Sequence, residues 1–160
     1  MSSLRILLCV DGALPDALLD AVVPLLAQSA VWVPMHVVDA RGRRDLGLLR
    51  GSIPGAGPLS RTQQQAIDAA TGEHTRAVLD ATDASLRRRG LQQEPPQIRA
   101  GEPGREICAA AAAVAANLVV LFASRRVRAA SGPGSVGHTA RFVLDHAACP
   151  VLLVRGTHVS

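Results

Sequence analysis

Residues 132 to 137 read Gly-Pro-Gly-Ser-Val-Gly, the G-x-G-x-x-G spacing with which backbone amides cradle a dinucleotide pyrophosphate. That fingerprint needs its first glycine directly after a strand and an acidic residue about twenty positions further on. Here nine residues separate Phe122 from Gly132, and the next apolar run ends in Arg155. The dinucleotide reading fails on context. A Walker loop fails as well, because the chain contains no lysine, and H-E-x-x-H, C-x-x-C and G-x-S-x-G are all absent. What remains is Gly134-Ser-Val-Gly137 ahead of a helix, where unpaired N–H groups would suit a phosphate. The competing account is that Ser135 or Thr139 caps the helix and the glycines only turn the chain. Sequence physics alone leaves both open.

Any such loop must be held by a sheet. Leu4–Val10 is an apolar run stopped by Asp11-Gly12, as expected of a strand buried on both faces. Asp16 to Ser29 follows with a helical period, Pro15 near its start and Pro24 placed to kink it. Val31–Val38 reads as a second strand closed by Asp39, with Pro34 suggesting a bulge or irregular pairing. Residues 41–60 read as a loop. A long helix is expected from Thr62 to Arg89, with Ile67, Ala70, His74, Ala77, Val78, Ala81 and Leu86 on one stripe and Gly90 ending it. Gln97–Ala100 is a weak third strand, Arg105–Ala116 an Ala-rich helix, and Leu118–Ala123 a fourth strand. After a loop over 124–137 come a short helix, Thr139–Ala147, and a last strand, Pro150–Val154.

Strict β-α alternation implies an α/β fold, one doubly wound domain over residues 1–160 with a parallel five-stranded sheet and helices on both faces. Ligands of such sheets bind beyond the carboxyl ends of the strands, where strand order reverses. That rule selects Asp11 and Gly12, Val37 to Asp39, and the loop from Ala123 to Gly137. His36 and His74 read as packed or solvated, since no second ligand is near either in sequence. His138 is a weak general base without a positioned partner. Asp11 has a plain structural role open to it, capping the turn into the first helix.

Composition narrows the function classes. The 160 residues are 48% apolar and 19% charged, ample for a core. The net charge of +4 comes entirely from arginine among the cations, and the only aromatics are Trp32, Phe122 and Phe142. A nucleic-acid module would add stacking aromatics or a concentrated basic face, so no nucleic-acid partner is expected. Arg87, Arg88 and Arg89 instead suit the C-terminal end of a helix. Cys9, Cys108 and Cys149 lack metal-like spacing, and Cys9 and Cys108 lie in apolar runs as small hydrophobes. The longest apolar stretch, Ile107 to Ala123, is seventeen residues broken by Asn117 and too Ala-rich to span a bilayer. Leu4–Val10 is too short for a signal sequence. The expectation is a reduced, cytoplasmic protein with no membrane partner.

Six segments together resemble the universal stress protein family over nearly the whole chain. They are Ile6-Leu-Leu-Cys-Val-Asp-Gly12, His36-Val-Val-Asp39, Gly101-Glu-Pro-Gly-Arg-Glu-Ile107, Asn117-Leu-Val-Val-Leu-Phe-Ala-Ser-Arg-Arg126, Gly134-Ser-Val-Gly-His138 and Cys149-Pro-Val-Leu-Leu-Val-Arg155. The resemblance implies strand order 3-2-1-4-5, a homodimer through the C-terminal strand (Val151 to Val154), and in one branch a site for ATP or AMP, with magnesium accompanying ATP. In that branch the loop reads G-x-x-G, nine residues, then G-S or G-T. Here Ala123 and Arg126 stand at the two glycine positions, and the spacer from Val127 to Pro133 is seven residues. The resemblance therefore implies a degenerate, weakly binding site. Its members would be Cys9, Val10, Asp11, Val37, Ala123, Ser124, Arg125, Arg126, Gly134, Ser135, Val136 and Gly137. Asp11 would meet the ribose or adenine, Val37 the adenine edge, and Ser124, Arg125, Gly134, Ser135 and Val136 the ribose and phosphates. Arg125, Arg126 and Arg128 could replace lost backbone contacts with guanidinium ones. The function implied is stress response by binding and switching, without a catalytic residue. A nucleotide-independent dimeric adaptor and a slow nucleotide hydrolase are the alternatives.

Overall fold

A computed structural model of the chain describes residues 3–12, 16–26, 29–39, 60–123 and 136–155. The strands are β1 (Arg5–Cys9), β2 (Val31–Asp39), β3 (Gln92–Gln93), β4 (Gln97–Gly101), β5 (Leu118–Ala123) and β6 (Val151–Arg155). The helices are α1 (Asp16–Val22), α2 (Arg61–Arg88), α3 (Pro103–Ala113) and α4 (His138–His146). All strand pairs are parallel, in the order β3-β2-β1-β5-β6, with β4 also on β2. The expected order 3-2-1-4-5 holds, with the third strand split into β3 and β4.

The split accounts for Pro34. Strand β2 runs beside β1 without a bulge, Leu8 opposite Pro34, so the expected irregularity is not in that pair. Residues of β2 alternate between its two neighbours. Glu94 N–H donates to the Trp32 carbonyl at 2.9 Å, and Val10 N–H donates to the Met35 carbonyl at 2.9 Å. Pro34 therefore turns its missing donor toward the β3/β4 side, where Pro95 and Pro96 separate Gln93 from Gln97. Each gap in hydrogen bonding faces the other.

Alternation also builds two cores. Ile6, Leu8, Val10 and Trp32 pack with Leu19 of α1 and Val78, Leu79 and Leu86 of α2. Leu7, Cys9, Val33 and Met35 pack on the other face with Ile107, Ala110 and Ala111 of α3 and Ala140 and Val143 of α4. Pro24 ends α1 at Val22, turning Val23–Leu25 into a 3-10 segment, because its ring cannot follow an α-helical turn. Ser60 and Gln63 close a reciprocal capping box ahead of α2. At its other end Gly90 has φ +67°, and N–H groups of Gly90 and Leu91 return to the carbonyls of Arg87 and Leu86. The same motif ends α3 at Ala113, short of the expected Ala116, with Ala115 at φ +50° in the place glycine usually takes. No helix among the described residues is long and apolar enough to cross a membrane.

The three arginines at the end of α2 do more than meet its dipole. Arg87 pairs with Asp83 at 2.9 Å, while Arg88 and Arg89 reach Asp16 at 3.2 and 3.1 Å and Arg89 also reaches Asp20 at 2.7 Å. The hydroxyl of Ser85 donates to Asp16 as well. That hydrogen bond first, then the one from Arg89, holds the Asp16 carboxyl below the usual carboxylate range. A carboxyl lowered by folding stabilises the fold above its unfolded value, roughly pH 4. The contribution is lost as pH falls through the lower folded value. Asp16→Asn should therefore melt below the wild type at neutral pH, with the gap closing at about pH 2. Circular-dichroism melts at the two pH values test this, and a gap independent of pH would refute it.

Candidate nucleotide cleft

A cleft of about 730 Å³ opens beyond the carboxyl ends of β1, β2 and β5. Strand order reverses at this point, since β1 connects onward to β2 on one side while β5 lies on the other. Strand β1 and its exit contribute Cys9, Val10 and Asp11; β2 contributes Met35, His36, Val37 and Asp39. Phe122 near the end of β5, Pro103 and Ile107 of α3, and His74 of α2 form further walls.

The sixth wall is the start of α4, with Val136, Gly137, His138, Thr139 and Ala140. Gly137 caps this helix with φ +83° and ψ 160°, a conformation almost confined to glycine, and no side chain caps it. Thr139 is thus not the cap that sequence physics had left open. The first intrahelical bond is from Arg141 N–H to the Gly137 carbonyl at 3.2 Å. The amides of His138, Thr139 and Ala140, in the first turn, lie ahead of that ladder at the positive end of the helix dipole. An anionic group on the ligand is favoured there.

Of the residues expected to bind, Cys9, Val10, Asp11, Val37, Val136 and Gly137 meet around this one cavity. Ala123 ends β5 one residue beyond Phe122, opposite Arg155 of β6. Ser124, Arg125, Arg126, Gly134 and Ser135 lie outside the described residues. Burial pushes the Cys9 thiol well up, with Cys108 adding to the rise, so it stays protonated and serves as packing. Among the described residues no three His, Cys, Asp or Glu side chains are arranged to hold a metal ion.

The sequence missed one association. The rings of His36 and His74 lie 6.5 Å apart, edge to face at 77°, in the same cleft. Their separation along the chain hid this, although strand parity turns His36 toward the α2 side and His74 sits on that helix.

The family model of the universal stress protein family matches residues 3–155. The chain belongs to this family. A universal stress protein family member from Burkholderia pseudomallei is similar at 30% identity and TM-score 0.56, with 94% of each chain covered. The universal stress protein from Archaeoglobus fulgidus, solved in complex with dAMP, has 19% identity and TM-score 0.57 over 96% of this chain and 98% of that one. A family protein from Arabidopsis thaliana with AMP bound has 15% identity and TM-score 0.63 over 96% and 92%. No curated protein matches. The likeness at these lower identities is one of fold, and the six resembling segments all fall within the span that the family model covers.

Proposed function

We propose that this universal stress protein family member is one domain that binds an adenine nucleotide, AMP or ATP, in the cleft above β1 and β5. It then acts by binding and switching rather than by turnover. The observation that carries the reading is the start of α4, which no side chain caps, at a cavity at the switch point, with Gly137 there in a conformation almost confined to glycine. In this reading Asp11 meets the ribose or adenine and Val37 the adenine edge. Ser124, Arg125, Gly134, Ser135 and Val136 would meet the ribose and phosphates. Binding is weak, because Ala123 and Arg126 replace two glycines of the nucleotide-binding pattern and the loop is two residues short. Magnesium would travel with ATP on its phosphates. Two copies associate through β6, the strand at the sheet edge next to β5.

A second reading, a dimeric adaptor that needs no nucleotide, draws on those same two glycine replacements. One experiment separates the two. Small molecules released from freshly purified, denatured protein are identified by mass spectrometry, and AMP and ATP with magnesium are titrated calorimetrically at millimolar concentration. Released nucleotide or saturable heat is the expected result. No nucleotide, no heat and no thermal shift would leave the adaptor.

A further inference from the structure

His36 has no part in the contacts assigned above, yet its surroundings equip it for one. The side chain belongs to a residue only 7% exposed, and its Nδ1 lies 2.8 Å from the Val10 carbonyl oxygen. A carbonyl can only accept, so Nδ1 carries the proton. In the neutral ring, Nε2 therefore keeps the lone pair. Among the described residues no hydrogen-bond partner of Nε2 is present, while the ring lines the cleft. Nε2 is thus open to the cleft, where water or a ligand can donate to it. The neighbouring His74 ring is 6.5 Å away, and Val37, the adjacent residue of β2, is the position assigned to the adenine edge.

We propose that His36 is a specificity-determining residue of the cleft. Its Nε2 accepts a hydrogen from the exocyclic amine of the bound base, so the site selects an amino purine over an oxo purine. The proposal rests on the nucleotide reading given above. An oxo group at the same position would set its own lone pairs against Nε2, leaving both acceptors unsatisfied. Sites built around a hydrogen bond reject the analogue that cannot make it more strongly than apolar pockets reject a change of size.

The test compares AMP with IMP, which differ in an amine and an oxo group at purine C6. Both are titrated calorimetrically under the same conditions. The variant is His36→Asn, whose side-chain amide keeps a donor for the Val10 carbonyl and removes the Nε2 acceptor. The wild type is expected to bind AMP about five to ten times more tightly than IMP, one neutral hydrogen bond's worth. The variant should lose that factor for AMP and leave IMP unchanged, so that the preference disappears. An AMP-to-IMP ratio equal in both proteins overturns the proposal and leaves nucleotide binding intact. Wild-type protein that binds neither compound overturns the nucleotide reading, and this proposal falls with it. Should the variant fail to fold, 15N spectra of the wild type decide. AMP must then move the His36 Nε2 resonance and IMP must not, and any other pattern overturns the proposal.

Discussion

Replacing Trp32 by alanine should cost about 3–5 kcal/mol of folding stability, a large share of the roughly 5–15 kcal/mol a domain possesses. Trp32 is 1% exposed and sits in the middle of the core between the sheet and helices α1 and α2, with Leu19, Val78, Leu79 and Leu86 around it. Strand β2 is hydrogen-bonded on both sides, to β1 and to the β3/β4 edge, so its backbone cannot collapse into the space an indole leaves. Phenylalanine should behave very differently. The indole Nε1 is buried with no partner among the described residues, a donor whose desolvation is not recovered. Trp32→Phe keeps most of the apolar volume and removes that donor, so about 1–3 kcal/mol returns against the lost packing. Urea titration measures both variants, with midpoints shifting at constant slope. A phenylalanine variant as unstable as the alanine one would show that Nε1 is in fact hydrogen-bonded.

Leu153→Asp is the second large change, and its readout is mass. Strand β6 is the edge of the sheet, and Val151 through Val154 are each only partly buried. Val151 and Leu153 pack toward the α3/α4 core, Leu152 and Val154 toward the α1/α2 core, so no face of this strand is polar by design. An apolar edge with open N–H and C=O groups recruits another strand unless covered. With β6 proposed as the dimer contact, a carboxylate at 153 would sit beside the two-fold axis, near its own copy. Static light scattering of the wild type should give twice the 16.7 kDa chain mass. The variant should run as a monomer or precipitate. A wild type of one chain mass at tens of micromolar, together with a soluble and unaltered variant, would remove β6 as the interface.

How legible the fold was depends on the range of the forces involved. Strands β1 and β5 could be read almost residue by residue, because burial on both faces leaves a continuous apolar run. The boundary Leu118–Ala123 is the same in both readings. The buried line of α2 was less legible. Ala70, Ala77 and Ala81 were expected inside, yet the buried residues are Thr75, Val78, Leu79, Thr82, Ser85 and Leu86. Alanine loses little by facing water, and Thr82 enters the core by donating its hydroxyl to the Val78 carbonyl at 2.8 Å. Pattern counts see neither effect. Pro34 looked like a flaw in its strand because its compensation, Pro95-Pro96, lies far along the chain. The candidate site was legible by position: six of its twelve expected members surround the cleft, and five others lie outside the described residues. The closeness of His36 and His74 was not, since it is made only by packing α2 over β2.

The proline gap between β3 and β4 also bears on how copies of this protein can assemble. A chain whose sheet could pair at both borders would be able to stack head to tail without limit. At the β3/β4 border, Pro95 and Pro96 offer no N–H to an incoming strand, and the border is broken into lengths of two and five residues. The opposite border, along β6, carries no such interruption. Growth through the β6 border alone would be self-matching, each copy using the same surface, and would stop when the second copy arrives. Pro95 and Pro96, in the gap between the two short strands of that border, would thus favour a pair of molecules as the end point of sheet association over the first step of a fibre.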